Sequence, residues 1–158
     1  LAALLLLNET ERSRLNIEWY GDEVDTSLQE AKKIVETNHL DNVISFFPAS
    51  IEIIRKTQQA DVVCLFSFYE GLPNTVCEGM ACGKPIISSA VSDLPELLKH
   101  QNKLLCNPSD PRSIRDAILL VLNSSNKELI KIGRQNRIVA ENNFNKETII
   151  TQYLRLLC

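Results

Sequence analysis

No G-x-G-x-x-G follows an apolar run in this sequence and no G-x-x-x-x-G-K-[ST] occurs in it, which argues against a dinucleotide-dependent dehydrogenase and a P-loop enzyme. A receiver domain is disfavoured too, because Asp61 opens its apolar run instead of closing it. Basic blocks are missing: 17 Lys and Arg stand against 20 Asp and Glu, for a net charge of -3. Nothing in that balance tracks a phosphate backbone, so nucleic acid is not an expected partner. The five cysteines, Cys64, Cys77, Cys82, Cys106 and Cys158, form an odd set with no C-x-x-C pair. They read as reduced, buried small hydrophobes and point to a reducing, cytoplasmic compartment. Cys77 and Cys82 are five apart on an expected helix and do not share a face, so no metal pair is expected. The apolar run Leu1 to Leu7 is too short to span a bilayer and lacks a basic leader and cleavage site. It resembles the remnant of a helix, and a start without Met suggests a fragment of something longer. With no repeat, low-complexity tract or linker, the 158 residues are expected to form one domain.

What the sequence does contain is an alternation. Short apolar runs recur at 16–20, 42–46, 61–66, 85–89 and 103–106, and stretches of helical spacing fill the gaps. Asp25 or Thr26 can cap a helix to about His39, and Ser50 one to about Gln59. A third is expected to begin with Pro73 at its first position and to stop at Gly83, just past its end. Strands alternating with helices, and strands apolar on both faces, predict an α/β fold with a doubly wound parallel sheet covered on both sides. After Asn107 only helices are expected, over about 110–123, 127–142 and 145–157, wrapping the sheet's edge or reaching towards a neighbouring domain.

In an open parallel sheet the ligand sits beyond the carboxyl ends of the strands, where loops feed helix N-termini. The loop Ser67 to Leu72 leaves a central-looking strand and enters the helix at Pro73, and two carboxylates, Glu70 and Glu78, flank that junction. On the helix, Asn74, Thr75 and Glu78 fall on one polar stripe, with Leu72, Val76 and Met80 on an apolar one. Glu78 would lie roughly 7 Å up the axis from the first turn. Free N–H groups between the two acids attract an anion, and carboxylates accept hydrogen bonds from vicinal hydroxyls. A ligand with phosphate in its middle and hydroxyl-bearing rings on both sides fits, and a nucleoside diphosphate sugar has that layout. Spacing alone equally allows Glu70 as an acid favoured by a helix terminus and Glu78 as a solvated side chain. Elsewhere Asp22 reads as a turn residue, Glu96 as a first-turn acid or a site residue, His39 and His100 as surface histidines, and Arg134 and Arg137 as a solvated helix face.

The stretch E-G-L-P-N-T-V-C-E, followed by G-M-A-C-G-K-P-I-I-S-S and L-P-E-L-L, resembles the E-x7-E region of the group 1 glycosyltransferases, the retaining family 4 enzymes of GT-B fold. The likeness is to their C-terminal, donor-binding domain, and extends through W-Y-G-D-E at Trp19 to Glu23 and A-D-V-V-C-L-F-S at Ala60 to Ser67. It implies sugar transfer from a nucleotide-sugar to an acceptor hydroxyl with retention, in polysaccharide or glycolipid biosynthesis. Glu70 would be the catalytic-site contact to the donor sugar, with Gly71 and Leu72 beside it. Asn74 and Thr75 would meet the diphosphate, Glu78 would hold the ribose, and Phe47 and Pro48 would form the base-side loop. No cofactor or bound metal is expected.

The resemblance also implies absences. The family's donor domain opens with a strand, a glycine-containing loop and an Arg/Lys pair that grips the diphosphate, none of which precedes Leu1 here, and the acceptor-binding domain is missing as well. The fragment is therefore expected to be inactive alone and to form a homodimer through an exposed sheet edge. Its parent would take a sugar or lipid-linked acceptor and touch the inner face of the cell membrane peripherally. Pro73 removes an amide that relatives with glycine there possess, and Ser92-Asp93 stands where Gly-Gly is usual. The alternatives are a GT-B epimerase, for which the needed histidine and acids are not evident, and a non-catalytic nucleotide-binding or interaction module.

Overall fold

The computed structural model describes residues 1–22 and 25–157, so Glu23 of the W-Y-G-D-E stretch and Cys158 lie outside the described residues. Two short helices, α1 (Ala2–Leu5) and α2 (Glu9–Arg12), lead into β1 (Ile17–Tyr20), α3 (Ser27–Thr37), β2 (Ile44–Phe47), α4 (Ile53–Gln59), β3 (Val63–Leu65), α5 (Asn74–Ala81) and β4 (Ile86–Ser89). There follow α6 (Leu94–Leu97), a 3-10 turn (Lys99–Leu104), β5 (Leu105–Cys106), α7 (Pro111–Leu122), α8 (Asn126–Phe144) and α9 (Lys146–Leu157). All five expected strands are present and every pairing is parallel.

The register explains the two cores. Val63, Leu65, Ile86, Ser88 and Leu105 point to one face of the β3–β4–β5 ladder, and Cys64, Ile87, Ser89 and Cys106 to the other. On the second face Ile87 and Cys106 join Leu4 and Leu7, Val35 of α3, and Ala117 and Ile118 of α7. On the first face Ile86 joins Val76 and Met80 of α5, Leu94 and Leu98, and Ala140 of α8. Helices thus cover both sides, as a doubly wound fold requires. Contrary to expectation, α7 and α8 lie on these faces and do not wrap the edge.

The sheet is not continuous among the described residues: β1 pairs with β2, and β3, β4 and β5 form a separate ladder. Because α3 and α5 lie on opposite faces and parallel crossovers are right-handed, the chain steps outward in opposite directions from β1 and from β3. Helix α4 packs against α5, so the crossover from β2 to β3 steps the same way as that from β3 to β4, which leaves β1 and β3 as the inner strands, without a partner between them among the described residues. The strand read as central, β3, is an edge of its ladder, and only β4 is buried along its whole length. Lacking a neighbour on one side, β3 leaves Cys64 exposed, and Cys77 and Cys82 are half-buried, so of the described cysteines Cys106 alone is buried.

Local expectations were refined in similar ways. Thr26 occupies the N-cap of α3 without a side-chain bond to a helix amide, while Asp25 Oδ1 accepts from the Ser27 amide at 2.8 Å. Ser50 Oγ accepts from the Glu52 amide and α4 starts only at Ile53. Pro73 is the N-cap of α5, one position before the helix, and not its first residue.

Candidate functional site

Helix α5 is seated by its glycines. A methyl group on Gly79 would stand 2.7 Å from Ile86 Cδ1 and 3.1 Å from Val63 Cγ2, so its absence lets the helix press onto β3 and β4. The helix ends in a Schellman motif: the Lys84 amide donates to the Gly79 carbonyl at 3.0 Å and the Gly83 amide to Met80 at 2.9 Å, with Gly83 at φ 70°. Helix α8 crosses this cap so closely that a Cβ on Gly133 would be 1.9 Å from the Gly83 oxygen.

A buried polar knot holds the crossing. The Asn136 amide, fully buried, donates to the Lys84 carbonyl at 2.7 Å and accepts from Gln101 Nε2 at 3.1 Å, while Gln101 Oε1 accepts from the Ile86 amide at 3.2 Å. His100 Nε2 lies 2.6 Å from the same Asn136 oxygen, which places a proton on that nitrogen. His100 is exposed, as expected of a surface histidine, and lies in the 3-10 turn, from which its ring reaches Asn136.

At its other end α5 presents the expected junction. Pro73 is buried and supplies no N–H, no side chain caps the helix, and the first amides that bond back are those of Val76 and Cys77, both to the Pro73 carbonyl. The amides of Asn74 and Thr75 precede them, on exposed residues. Glu70 and Glu78 are half-buried, and neither makes a side-chain hydrogen bond or ion pair among the described residues. Gly71 is exposed with open space around it. The polar stripe is as expected, and Val76 and Met80 are buried; Leu72 is 53% exposed, because it precedes the helix and does not share its apolar face.

Phe47 ends β2 and Pro48 follows it, both exposed and in a ladder separate from the one that leads to the acids. Sequence reasoning missed what surrounds them. The Tyr20 ring stacks on Phe47 at 5.2 Å, its hydroxyl donates to Glu18 at 2.5 Å, and Lys56 lies 3.8 Å from Glu18. The Tyr20 hydroxyl first, then Glu18, holds the Lys56 ammonium above its ordinary range. Asp22 Oδ1 accepts from the Ala49 amide at 3.3 Å, tying the loops after β1 and β2 together. An alternation ending in aromatics on paired runs was the available signal. No cluster of three His, Cys, Asp or Glu that could hold a metal occurs among the described residues.

The site is thus the uncapped N-terminus of a helix in a parallel α/β domain, with one unpaired carboxylate in the loop before the helix and one on it. The profile of the glycosyl transferases group 1 matches residues 1–124, and the chain belongs to that family. It is 28% identical over 144 residues to the amylovoran biosynthesis glycosyltransferase AmsK of Erwinia amylovora, covering 87% of this chain and 35% of that one. To the N-acetyl-alpha-D-glucosaminyl L-malate synthase of Bacillus anthracis it is 27% identical over 135 residues, covering 84% and 34%. Among solved structures it superposes on Anabaena Alr3699/HepE in complex with UDP with a TM-score of 0.85 at 21% identity, covering 98% of this chain and 43% of that chain. The chain thus spans about a third of the length of these curated relatives. No helix among the described residues is long and apolar enough to cross a membrane.

Proposed function

We propose that this chain is the nucleotide-sugar-binding half of a retaining glycosyltransferase of polysaccharide or glycolipid biosynthesis. The observation that carries the reading is the uncapped start of α5, with the amides of Asn74 and Thr75 between the unpaired Glu70 and Glu78. The amides take the diphosphate, Glu78 the ribose hydroxyls, and Glu70 the donor sugar, beside Gly71 and Leu72. Phe47 and Pro48 border the base, on the stacked Tyr20. HepE was solved with UDP and with UDP-glucose, which supports a nucleoside diphosphate sugar as donor. Amide dipoles meet the diphosphate charge, and no resident metal is part of the proposal.

The unpaired inner edges of β1 and β3 support a second element of the proposal. A strand from polypeptide beyond these 158 residues completes the sheet between them, and the acceptor binds a further domain. On this reading the 158 residues hold donor without turning it over, because transfer requires the second domain to close over it and exclude water.

The two acids separate by experiment in the intact enzyme. Glu78→Gln removes a charged acceptor present in ground and transition states alike, so donor and free-nucleotide binding weaken by about 1–3 kcal/mol while saturated turnover changes less. Glu70→Gln acts where the anomeric carbon gains positive character, so kcat falls about 100-fold and nucleoside diphosphate affinity is nearly retained. Equal loss of nucleotide binding in both, with kcat intact in Glu70→Gln, contradicts the assignment.

A further inference from the structure

Helix α8 packs on α5, and its residues Gln135, Val139 and Asn143, spaced four apart, form one ridge along it. This ridge, together with Asp93 and Leu97 at the two ends of α6, lines an open groove of about 450 Å³ that reaches Leu72, next in the chain to Gly71 and Glu70. That volume is in the range of small-ligand sites. Leu72, Leu97 and Val139 supply its apolar surface, and the polar groups among them have bonding capacity left over. Gln135 makes no side-chain hydrogen bond among the described residues, and Asn143 spends its Nδ2 on the Val139 carbonyl at 2.8 Å and keeps its oxygen. Asp93 is the N-cap of α6, yet its carboxylate bonds no helix amide and enters no ion pair among the described residues. The other lining acid, Glu96, is neutralised by Lys99 at 2.5 Å. Asp93 is thus the one carboxylate of the groove without a counter-ion. It follows Ser92, whose backbone at φ 51° takes the left-handed conformation that glycine adopts without strain and serine does not. Ser92-Asp93 replaces the usual Gly-Gly, so the strained turn and the free carboxylate are this chain's own.

We propose that this groove binds an uncharged saccharide, the unit of the acceptor glycan next to the transferred sugar, and that Asp93 determines the preference for an uncharged unit. A pyranose ring has an apolar C–H face and a rim of hydroxyls that both donate and accept. The leucines and Val139 suit the face, while the amides of Gln135 and Asn143 and the carboxylate of Asp93 suit the rim. A uronate or phosphorylated sugar would set its anion against Asp93 with the lining lysine already engaged by Glu96, and this repulsion rejects it. The place of the saccharide in the reaction rests on the donor reading, because Leu72 is what joins the groove to the donor sugar. Its binding as such does not.

The test is chemical-shift mapping of the 158-residue chain titrated separately with maltotriose, trigalacturonate, UDP and UDP-glucose. Maltotriose is expected to shift the side-chain amides of Gln135 and Asn143 and the backbone amides of Asp93 and Leu97, and to bind at least about tenfold more tightly than trigalacturonate. Gln135→Ala with Asn143→Ala removes two hydrogen-bonding partners and weakens maltotriose binding about 30-fold. Asp93→Asn keeps maltotriose and narrows the gap between the two trisaccharides about tenfold. All these side chains are exposed, and thermal melts that match the parent chain show that the variants fold. The proposal is overturned by the absence of maltotriose shifts in the groove, or by equal binding of both trisaccharides to the parent chain. It is overturned as well if UDP-glucose, and not UDP, shifts Gln135 and Asn143, which would assign the groove to the donor sugar itself. Missing UDP shifts at Asn74 and Thr75 contradict the donor reading and missing maltotriose shifts contradict the groove, so the two failures are told apart.

Discussion

Gly133 has no room for a methyl group, because the atom it would strike is the Gly83 backbone oxygen at the end of α5 and not the tip of a flexible side chain. Gly133→Ala therefore lifts α8 from α5 and strains the Asn136 knot, and a loss of about 3 kcal/mol is expected. Gly71→Ala, with nothing within 4 Å, changes stability by less than about 0.5 kcal/mol. Urea unfolding of the two variants decides: a Gly133→Ala midpoint equal to that of the parent would mean that α8 does not sit where described. In the sequence Gly133 is only a weak spot in a helical run, and Asn136 only a polar residue among others, because their partners Gly83, Lys84 and Gln101 lie far away along the chain. Glu70 and Glu78 were legible for the opposite reason. Both sit within one local stretch whose capping and spacing are set by neighbours in sequence.

At the scale of elements, the five strands were legible because short apolar runs bounded by polar residues announce themselves, and α5 because Pro73 and Gly83 mark its ends. The four-residue α6 was not, since L-P-E-L is too short to show a helical period. Nor was the break in the sheet, which depends on which face each crossover covers. That break has a consequence: among the described residues β1 and β3 each present an inner edge without a partner, and unpaired edges invite other strands. The isolated chain is expected to self-associate, with a light-scattering mass that rises with concentration. A mass that stays monomeric at every concentration would contradict this.

At the scale of the whole molecule, helices on both faces of the strands close two cores, and family and fold class are legible in the sequence because the motifs that carry them are contiguous. The stacking of Tyr20 on Phe47 and the seating of α8 emerge only when distant segments meet. The central claim is that the start of α5 receives a nucleoside diphosphate, and amide chemical-shift mapping of the 158-residue chain during titration with UDP tests it most directly, since such mapping registers weak binding. The predicted result is a set of shifts centred on Gly71, Asn74, Thr75 and Glu78, extending to Phe47 and diminished by Glu78→Gln. Absence of shifts at millimolar UDP, or shifts centred on Arg134 and Arg137 at the opposite end of α5, would contradict the account.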